Sequence, residues 1–419
     1  MSIRKAKVLF VDDEINVLES LKRSLRPMRA KWDMSFALGG EEALKTIDQI
    51  YPDVVVSDMR MDGMSGLQLL QSIKENFPEC IRIILSGYPD TQKGTLQSMQ
   101  VAHQYLCKPC TNADIIQTVE RVLSKRDMLD DSHLRAVVGR LEGLPSLPEI
   151  YEDIVTALND ENVASTELAA IVSRDVGMTA TILRLVNSSL FGCATRISSI
   201  HRAVDLLGGQ TIRVLVLSTY LFDPIDSTAL STNSIRMLWE HSWRVACFAK
   251  TIAENEGLSQ VEIDESFVSG MMHDVGKIIL ASSLSSEYLG VLESVREENR
   301  PVHELELEIL GTTHAAIGGY LLGLWGFTSS SLEAVGWHHA PDKQCCSMLT
   351  PSLVVHVANA LDHDLVRIHE DYAPRRLYGL GINDDSFLER MEHWRSLCSG
   401  SLVKESGEYA VGIALDADV

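Results

Sequence analysis

Short apolar runs, each ending on a polar residue, constrain the fold of the first 110 residues. Lys7-Val8-Leu9-Phe10-Val11 ends on Asp12-Asp13, and Val54-Val55-Val56-Ser57 ends on Asp58. Ile81-Arg82-Ile83-Ile84-Leu85 ends on Ser86, and Gln104-Tyr105-Leu106-Cys107 ends on Lys108-Pro109. Runs of this length, separated by helix-like stretches, read as buried parallel strands. Strands are predicted over 7–11, 33–37, 53–57, 81–85 and 103–107. Helices are predicted over 15–26, 40–50, 65–76, 91–100 and 111–125. The expected fold is an α/β doubly wound, five-stranded parallel domain of flavodoxin-like type. In such a sheet, ligands collect outside the carboxyl ends of the strands. That crevice would gather three carboxylates, a hydroxyl and an ammonium. Clustered carboxylates need a cation, and oxygen donors suit a hard dication such as Mg2+.

On these residues, 5–125 resembles the receiver domain of bacterial two-component response regulators. The resemblance implies that Asp58 accepts a phosphoryl group from a sensor histidine kinase. It implies Mg2+ held by Asp12, Asp13, Asp58 and the Arg60 carbonyl. Ser86 takes the place of the switch hydroxyl, Tyr105 of the switch aromatic, and Lys108 of the phosphate-contacting lysine. Pro109 is expected to follow a cis peptide bond. Capping of the helix from Ile15 is the competing role for Asp13, but it leaves the other positions in register unaccounted for.

Composition narrows the class. The net charge is -21, against the basic stripe of a nucleic-acid binder. No helix-turn-helix with a basic recognition helix stands out, so no nucleic-acid partner is expected. No apolar run approaches the ~20 residues that span a bilayer, so no membrane association is expected either. Met1-Ser2-Ile3-Arg4-Lys5 leads straight into the first strand, which predicts no signal peptide. The eight cysteines are scattered in apolar contexts and suit a reduced, cytoplasmic protein. Cys107-Lys108-Pro109-Cys110 has the form of a redox CxxC, but the receiver pattern already accounts for its Lys-Pro. Adjacent Cys345-Cys346 suits neither a disulfide nor a standard zinc spacing.

The strand pattern stops near Ser124. The expected division is a receiver over 1–125, a helical connector over 126–140, an all-α domain over 141–400 and a loosely ordered tail over 401–419. The charged stretch 125–131 reads as a continuation of the last receiver helix. Helices are predicted near 149–160, 165–174, 178–187, 200–207, 210–221, 234–256, 261–273, 284–298, 303–309, 313–324, 329–338, 350–363 and 384–397.

His241, His273-Asp274, His314 and His338-His339 form the second constellation. Met271-Met272-His273-Asp274 reads as a helix carrying the pair into a bundle interior, where facing helices build metal sites. Imidazole with carboxylate suits zinc and other transition metals. A buried histidine bonded to a carbonyl or carboxylate needs no metal, and both roles stay open. His133, His201, His303, His356, His363, His369 and His393 read as surface or packing residues.

This region resembles the HD superfamily of metal-dependent phosphohydrolases, and more closely its HDOD branch. The likeness is carried by Gly143-Leu144-Pro145-Ser146-Leu147-Pro148, Ser173-Arg174-Asp175-Val176-Gly177-Met178 and Leu183-Arg184-Leu185-Val186-Asn187-Ser188. Ile197-Ser198-Ser199-Ile200, Ala203 and Leu207-Gly208-Gly209 continue it. The resemblance to HD-GYP phosphodiesterases implies that His241, His273, Asp274, His314, His338 and His339 hold iron, manganese or zinc, and that Lys277 contacts phosphate. Two departures count against turnover. Asn359 replaces the last aspartate ligand, unless Asp362 or Asp364 reaches in, and no Gly-Tyr-Pro follows His338-His339. The expected function is therefore a phosphorylation switch at Asp58 whose HDOD domain binds a downstream signalling protein. The alternative is a receiver-gated phosphohydrolase acting on cyclic di-GMP or another phosphodiester. Receivers often pair, so a homodimer is also admitted.

Overall fold

The computed structural model describes residues 5–86, 101–126, 129, 131–141, 153, 154, 157, 163–187, 196–217, 232–339, 349–366 and 389–400. The helix expected at 91–100, most of that at 149–160, Cys345-Cys346 and the tail lie outside the described residues, as does the Cys107 side chain.

The N-terminal unit is built on strands β1 (Ala6–Asp12), β2 (Trp32–Leu38), β3 (Val54–Asp58), β4 (Ile81–Ser86) and β5 (Gln104–Cys107). All pair in parallel in the order β2-β1-β3-β4-β5. Helices α1 (Ile15–Ser24), α2 (Gly40–Ile50), α3 (Gly66–Asn76) and α4 (Asn112–Arg126) cross over between strands or follow the last one. Helix α1 ends sooner than expected. Pro27 lacks an N–H and clashes with the preceding turn, and the chain tightens into a 3-10 helix over Arg26–Ala30. Register pairs Val11 with Ser57, Asp58 with Leu85 and Ser86 with Cys107. It thereby brings Asp12, Asp58, Ser86 and Lys108 to one rim.

Every later element among the described residues is helical. Helix α4 does not run on through 125–131. Asp131 caps a new helix, α5 (Ser132–Arg140), by accepting from His133 N at 2.6 Å. There follow α6 (Ser165–Ser173), α7 (Val176–Val186), α8 (Ile200–Leu217) and α9 (Thr232–Asn255). The chain continues through α10 (Gln260–Met272), α11 (Val275–Ser283), α12 (Ser285–Glu298) and α13 (Val302–Leu310). Then come α14 (His314–Leu324), α15 (Ser329–Trp337) and α16 (Pro351–Leu365). Within Ile200–Leu217 the helices expected at 200–207 and from 210 are joined across a non-helical Gly208, whose φ of 71° only glycine adopts freely. Residues 389–400 are helical, with Trp394 Nε1 donating to Glu256 Oε1 at 2.8 Å. No helix among the described residues is long and apolar enough to cross a membrane.

The two units meet at the amino ends of β4 and β5. Arg82 lies in an apolar strand and is 1% exposed. Its guanidinium donates to the carbonyls of Val101 at 2.6 Å, Cys80 at 3.2 Å and Gly139 of α5 at 2.6 Å. Helix α5 sits so close that a Cβ on Gly139 would lie 1.9 Å from the Pro78 carbonyl oxygen. A buried guanidinium is tolerable only with its donors satisfied, so this network fixes where the connector lies.

His103 belongs to the same junction. Its Nδ1 accepts from the Arg82 backbone N–H at 3.0 Å. Burial, with Arg82 and Arg184 nearby, holds its pKa well below the ordinary range. A histidine harder to protonate in the folded chain contributes stability that is complete above its unfolded pKa of about 6.5 and declines as pH falls below it. Between pH 7 and 5 the urea midpoint of the wild type should therefore fall more steeply than that of His103→Gln. Parallel slopes would contradict this.

Candidate functional site

The rim of the parallel sheet holds the first site. Asp12, at the end of β1, and Asp58, at the end of β3, are 2% and 7% exposed. The Lys108 ammonium forms an ion pair with Asp58 Oδ1 and lies 3.6 Å from Asp12 Oδ2. Asp58 Oδ2 accepts from Arg60 N at 2.9 Å, Asp12 Oδ1 from Glu14 N at 2.9 Å, and Asp13 Oδ2 from Asp62 N at 2.7 Å. Burial raises the Asp12 pKa against the pull of the Glu14 N–H and Lys108. Burial acts to lower the Lys108 pKa, but Asp58 and Asp12 outweigh it and hold the ammonium above its usual range. Ser86 is buried, and its Oγ donates to Met59 Sδ at 3.0 Å. Tyr105 is also buried, and the Lys108–Pro109 bond is cis. Among the described residues Asp12 Oδ2 has no hydrogen-bond donor. An unsatisfied buried carboxylate oxygen beside two more acids suits a hard cation, so the donor set fits Mg2+.

The second site is the histidine cluster. His273-Asp274 does not lie within a helix as expected. His273 is the C-cap of α10 and Asp274 the N-cap of α11, so the pair occupies the corner between them. A capping box of Ser259 and Glu262 starts α10, and Thr313 caps α14 at His314. A Cβ on Gly276 would lie 1.9 Å from the His314 carbonyl oxygen, so only glycine lets these two corners touch.

Imidazole orientation is fixed from behind. Nδ1 of His273 faces the Gly270 carbonyl at 2.7 Å, and that of His338 faces the Val335 carbonyl at 2.7 Å. Nδ1 of His241 meets Asp362 Oδ2 at 2.7 Å, and that of His314 meets Glu306 Oε2 at 2.6 Å. Each of these partners accepts, so each Nδ1 carries a proton and each ring turns its Nε2 inward. The Nε2 atoms of His241 and His273 lie 3.6 and 3.4 Å from Asp274 Oδ2. Those of His314 and His338 lie 3.2 and 3.8 Å from Oδ1. Two Nε2 pairs face each other directly, His241 with His273 at 3.2 Å and His339 with His314 at 2.9 Å.

Such a centre is crowded with acceptors. Asp274 Oδ1 and His338 Nε2 are buried with no hydrogen bond among the described residues. Burial pushes the His273 pKa down to about 4 and those of His338 and His339 well below normal, so protons do not fill the gap near neutrality. His314 is the exception: burial is outweighed by Glu306 and its pKa is raised. Two donors about 2.1 Å from one ion at a tetrahedral angle stand about 3.4 Å apart, close to the separations here. The donors fall into two groups sharing Asp274: His241 and His273 on one side, His314, His338 and His339 on the other. The residues fit a pair of transition-metal ions.

Several members escaped sequence reasoning. Glu306 is 0% exposed and orients His314. Asp362 does reach in, behind His241, and is gripped by Arg244 through Nε at 2.7 Å and an Nη at 3.1 Å. Three histidines read as surface or packing residues wall the cluster instead. The His303 ring stacks on His339 at 4.1 Å, His363 lies 4.9 Å from the His241 ring, and His356 Nδ1 meets the His338 carbonyl at 2.7 Å. The spacing of His356, Asn359, Asp362 and His363 is one face of a helix and was the available signal. Lys277 Nζ lies 2.6 Å from Asp274 Oδ2.

Residues 8–120 match the response regulator receiver domain family, and residues 144–341 match the HDOD domain family. The chain joins a response-regulator receiver domain to an HDOD domain. An uncharacterized protein of Treponema pallidum is 27% identical over 204 residues, 49% of this chain and 39% of that protein. The transcriptional regulatory protein PrrA of Mycobacterium leprae is 32% identical over 33% of this chain and 60% of its own length. The chain thus spans less than two thirds of either relative. The MmoQ response regulator of Methylococcus capsulatus is 22% identical, with 59% of this chain and 98% of that one covered and a TM-score of 0.45.

The receiver carries the acidic rim and the HDOD domain carries the histidine cluster. In the latter, Gly276→Ala forces two backbones apart and should cost roughly 1–3 kcal/mol. This would be read as a lower denaturation midpoint at unchanged slope. An unchanged midpoint would contradict the packing described.

Proposed function

We propose that Asp58 accepts a phosphoryl group from a sensor histidine kinase and that the added charge switches the HDOD domain, which acts on a downstream signalling protein. The observation that carries this reading is the Lys108 ammonium paired with Asp58 and set beside Asp12. A bound Mg2+ would neutralise the three carboxylates during transfer. A phosphoryl group brings nearly two negative charges and strong acceptor oxygens. Lys108 pairs with it. The Ser86 hydroxyl turns from Met59 Sδ to the new oxygens, and Tyr105 on the neighbouring strand follows. Beryllofluoride, a phosphoryl mimic, should change the sedimentation behaviour and partner binding of the wild type and leave Asp58→Ala unchanged. Identical behaviour in both proteins would remove the reading.

A second reading is favoured by the inward-facing Nε2 atoms: a phosphohydrolase acting on a phosphodiester such as cyclic di-GMP. His241, His273 and Asp274 would hold one ion, and Asp274, His314, His338 and His339 another, of iron, manganese or zinc. The bound metal supplies Lewis-acid activation. Lys277, whose ammonium meets Asp274 Oδ2 at 2.6 Å, would contact a phosphate oxygen. Against turnover stands Asp362, already neutralised by Arg244, with Asn359 as an amide where the related enzymes have a carboxylate. Elemental analysis should find bound metal that is lost in His273→Ala, and Glu306→Gln should weaken Co2+ binding by about 10–100-fold, as loss of an orienting carboxylate does. A metal-free, inert protein leaves the switch alone.

A further inference from the structure

We propose that helix α14 carries the state of the receiver to the histidine cluster, with Gln104 as the contact that transmits it. The proposal rests on the reading of Asp58 as the phosphorylated residue and names the route by which it acts.

One end of α14 lies in the histidine cluster, and the other is held by a receiver residue at the junction. Its first residue is His314, whose Nε2 lies 3.2 Å from Asp274 Oδ1 and 2.9 Å from His339 Nε2. Its last residue is Leu324, whose carbonyl accepts from Gln104 Nε2 at 2.5 Å. Gln104 opens β5, pairs in register with Ile83 of β4 and directly precedes Tyr105. Its other amide atom, Oε1, accepts from an Nη of Arg121 on α4 at 2.6 Å. One side chain therefore ties β5, α4 and the far end of α14 together. The last carbonyls of a helix lack intrahelical partners, so the Leu324 oxygen is a natural handle.

The residues just past α14 are clamped as well. Arg184 lies over the Trp325 ring at 4.7 Å and donates to the Ala102 carbonyl, two residues before Gln104, at 3.0 Å. A Cβ on Gly326, whose φ is 82°, would lie 2.6 Å from Arg196 and 3.0 Å from Gln104 Nε2.

Between its ends α14 has no slack. The helix has 11 residues, spans about 16 Å and is buried at every position but Ala316. A Cβ on Gly318 would lie 3.0 Å from Val275 and 3.2 Å from Val335, so the helix is wedged between α11 and α15. Its start abuts Gly276 with no room for a methyl group. Close-packed interiors transmit displacement instead of absorbing it. A movement of β5 by a few tenths of an ångström reaches His314 and alters the 2.9–3.8 Å spacings around Asp274. Coupling of this kind is reciprocal, so an ion in the cluster biases Asp58 in return.

Hydrogen exchange of the full chain, with and without beryllofluoride and Mg2+, tests the route. In the wild type, protection should change at 58–62 and across 314–324. In Gln104→Leu the change at 58–62 should persist and the change across 314–324 should vanish. Arg121→Gln, which removes the second holder of the Gln104 amide, should weaken the α14 response in the same direction and covers the case in which Gln104→Leu fails to fold. A wild-type response in α14 of a folded Gln104→Leu overturns the proposal, as does a response at 58–62 with none in wild-type α14. Silence at 58–62 in the wild type overturns the phosphorylation reading and this proposal with it.

Discussion

An ammonium seated against a buried carboxylate at the rim of the N-terminal sheet is the interaction on which the rest depends. Asp12, Asp58 and Lys108 come from the ends of β1, β3 and β5, and only a parallel register places those ends side by side. Burying carboxylates together is unfavourable, and Lys108 offsets part of that cost. Phosphorylation would exchange one carboxylate charge for a larger one at the same place. Under the proposal the lysine would then already be in position, and the uncharged pair, Ser86 and Tyr105, would move and carry β5 with it.

The two sites solve one electrostatic problem with different donors. The rim gathers carboxylate oxygens, the choice for a hard ion. The cluster turns imidazole nitrogens toward a single aspartate, the choice for a softer one. In the cluster the outer partners set the orientation of the rings. Gly270 and Val335 carbonyls, Glu306 and Asp362 each hold an Nδ1 proton and so decide which nitrogen faces inward. Arg244 draws Asp362 into an outer role, which goes with the amide at Asn359.

Much of this was legible in the sequence, for local reasons. The unbroken runs at Val8–Val11, Val54–Val56 and Ile83–Leu85 can only be strands buried on both faces, and each ends on the residue that matters. Helix α11 was not legible, because Val275-Gly276-Lys277-Ile278-Ile279 is buried on most sides and shows no amphipathic period. The partners of the histidines were hidden by distance along the chain: Asp362 lies 121 residues from His241. The junction was hidden by ambiguity. Arg82 and Gln104 look like residues of a solvated strand face, and each is buried because another element supplies carbonyls for it.

The junction gives the two-domain arrangement its physical content. Arg82 anchors the connector, and Gln104 grips a helix that begins in the cluster. All of it has meaning as a switch only if Asp58 is where the phosphoryl group goes. The most direct measurement is intact-mass and peptide mass spectrometry after incubation with acetyl phosphate and Mg2+, with borohydride reduction to mark the acyl phosphate. The account predicts one phosphoryl group per chain, located on Asp58. A phosphoryl group on another residue, or none at all, would contradict it.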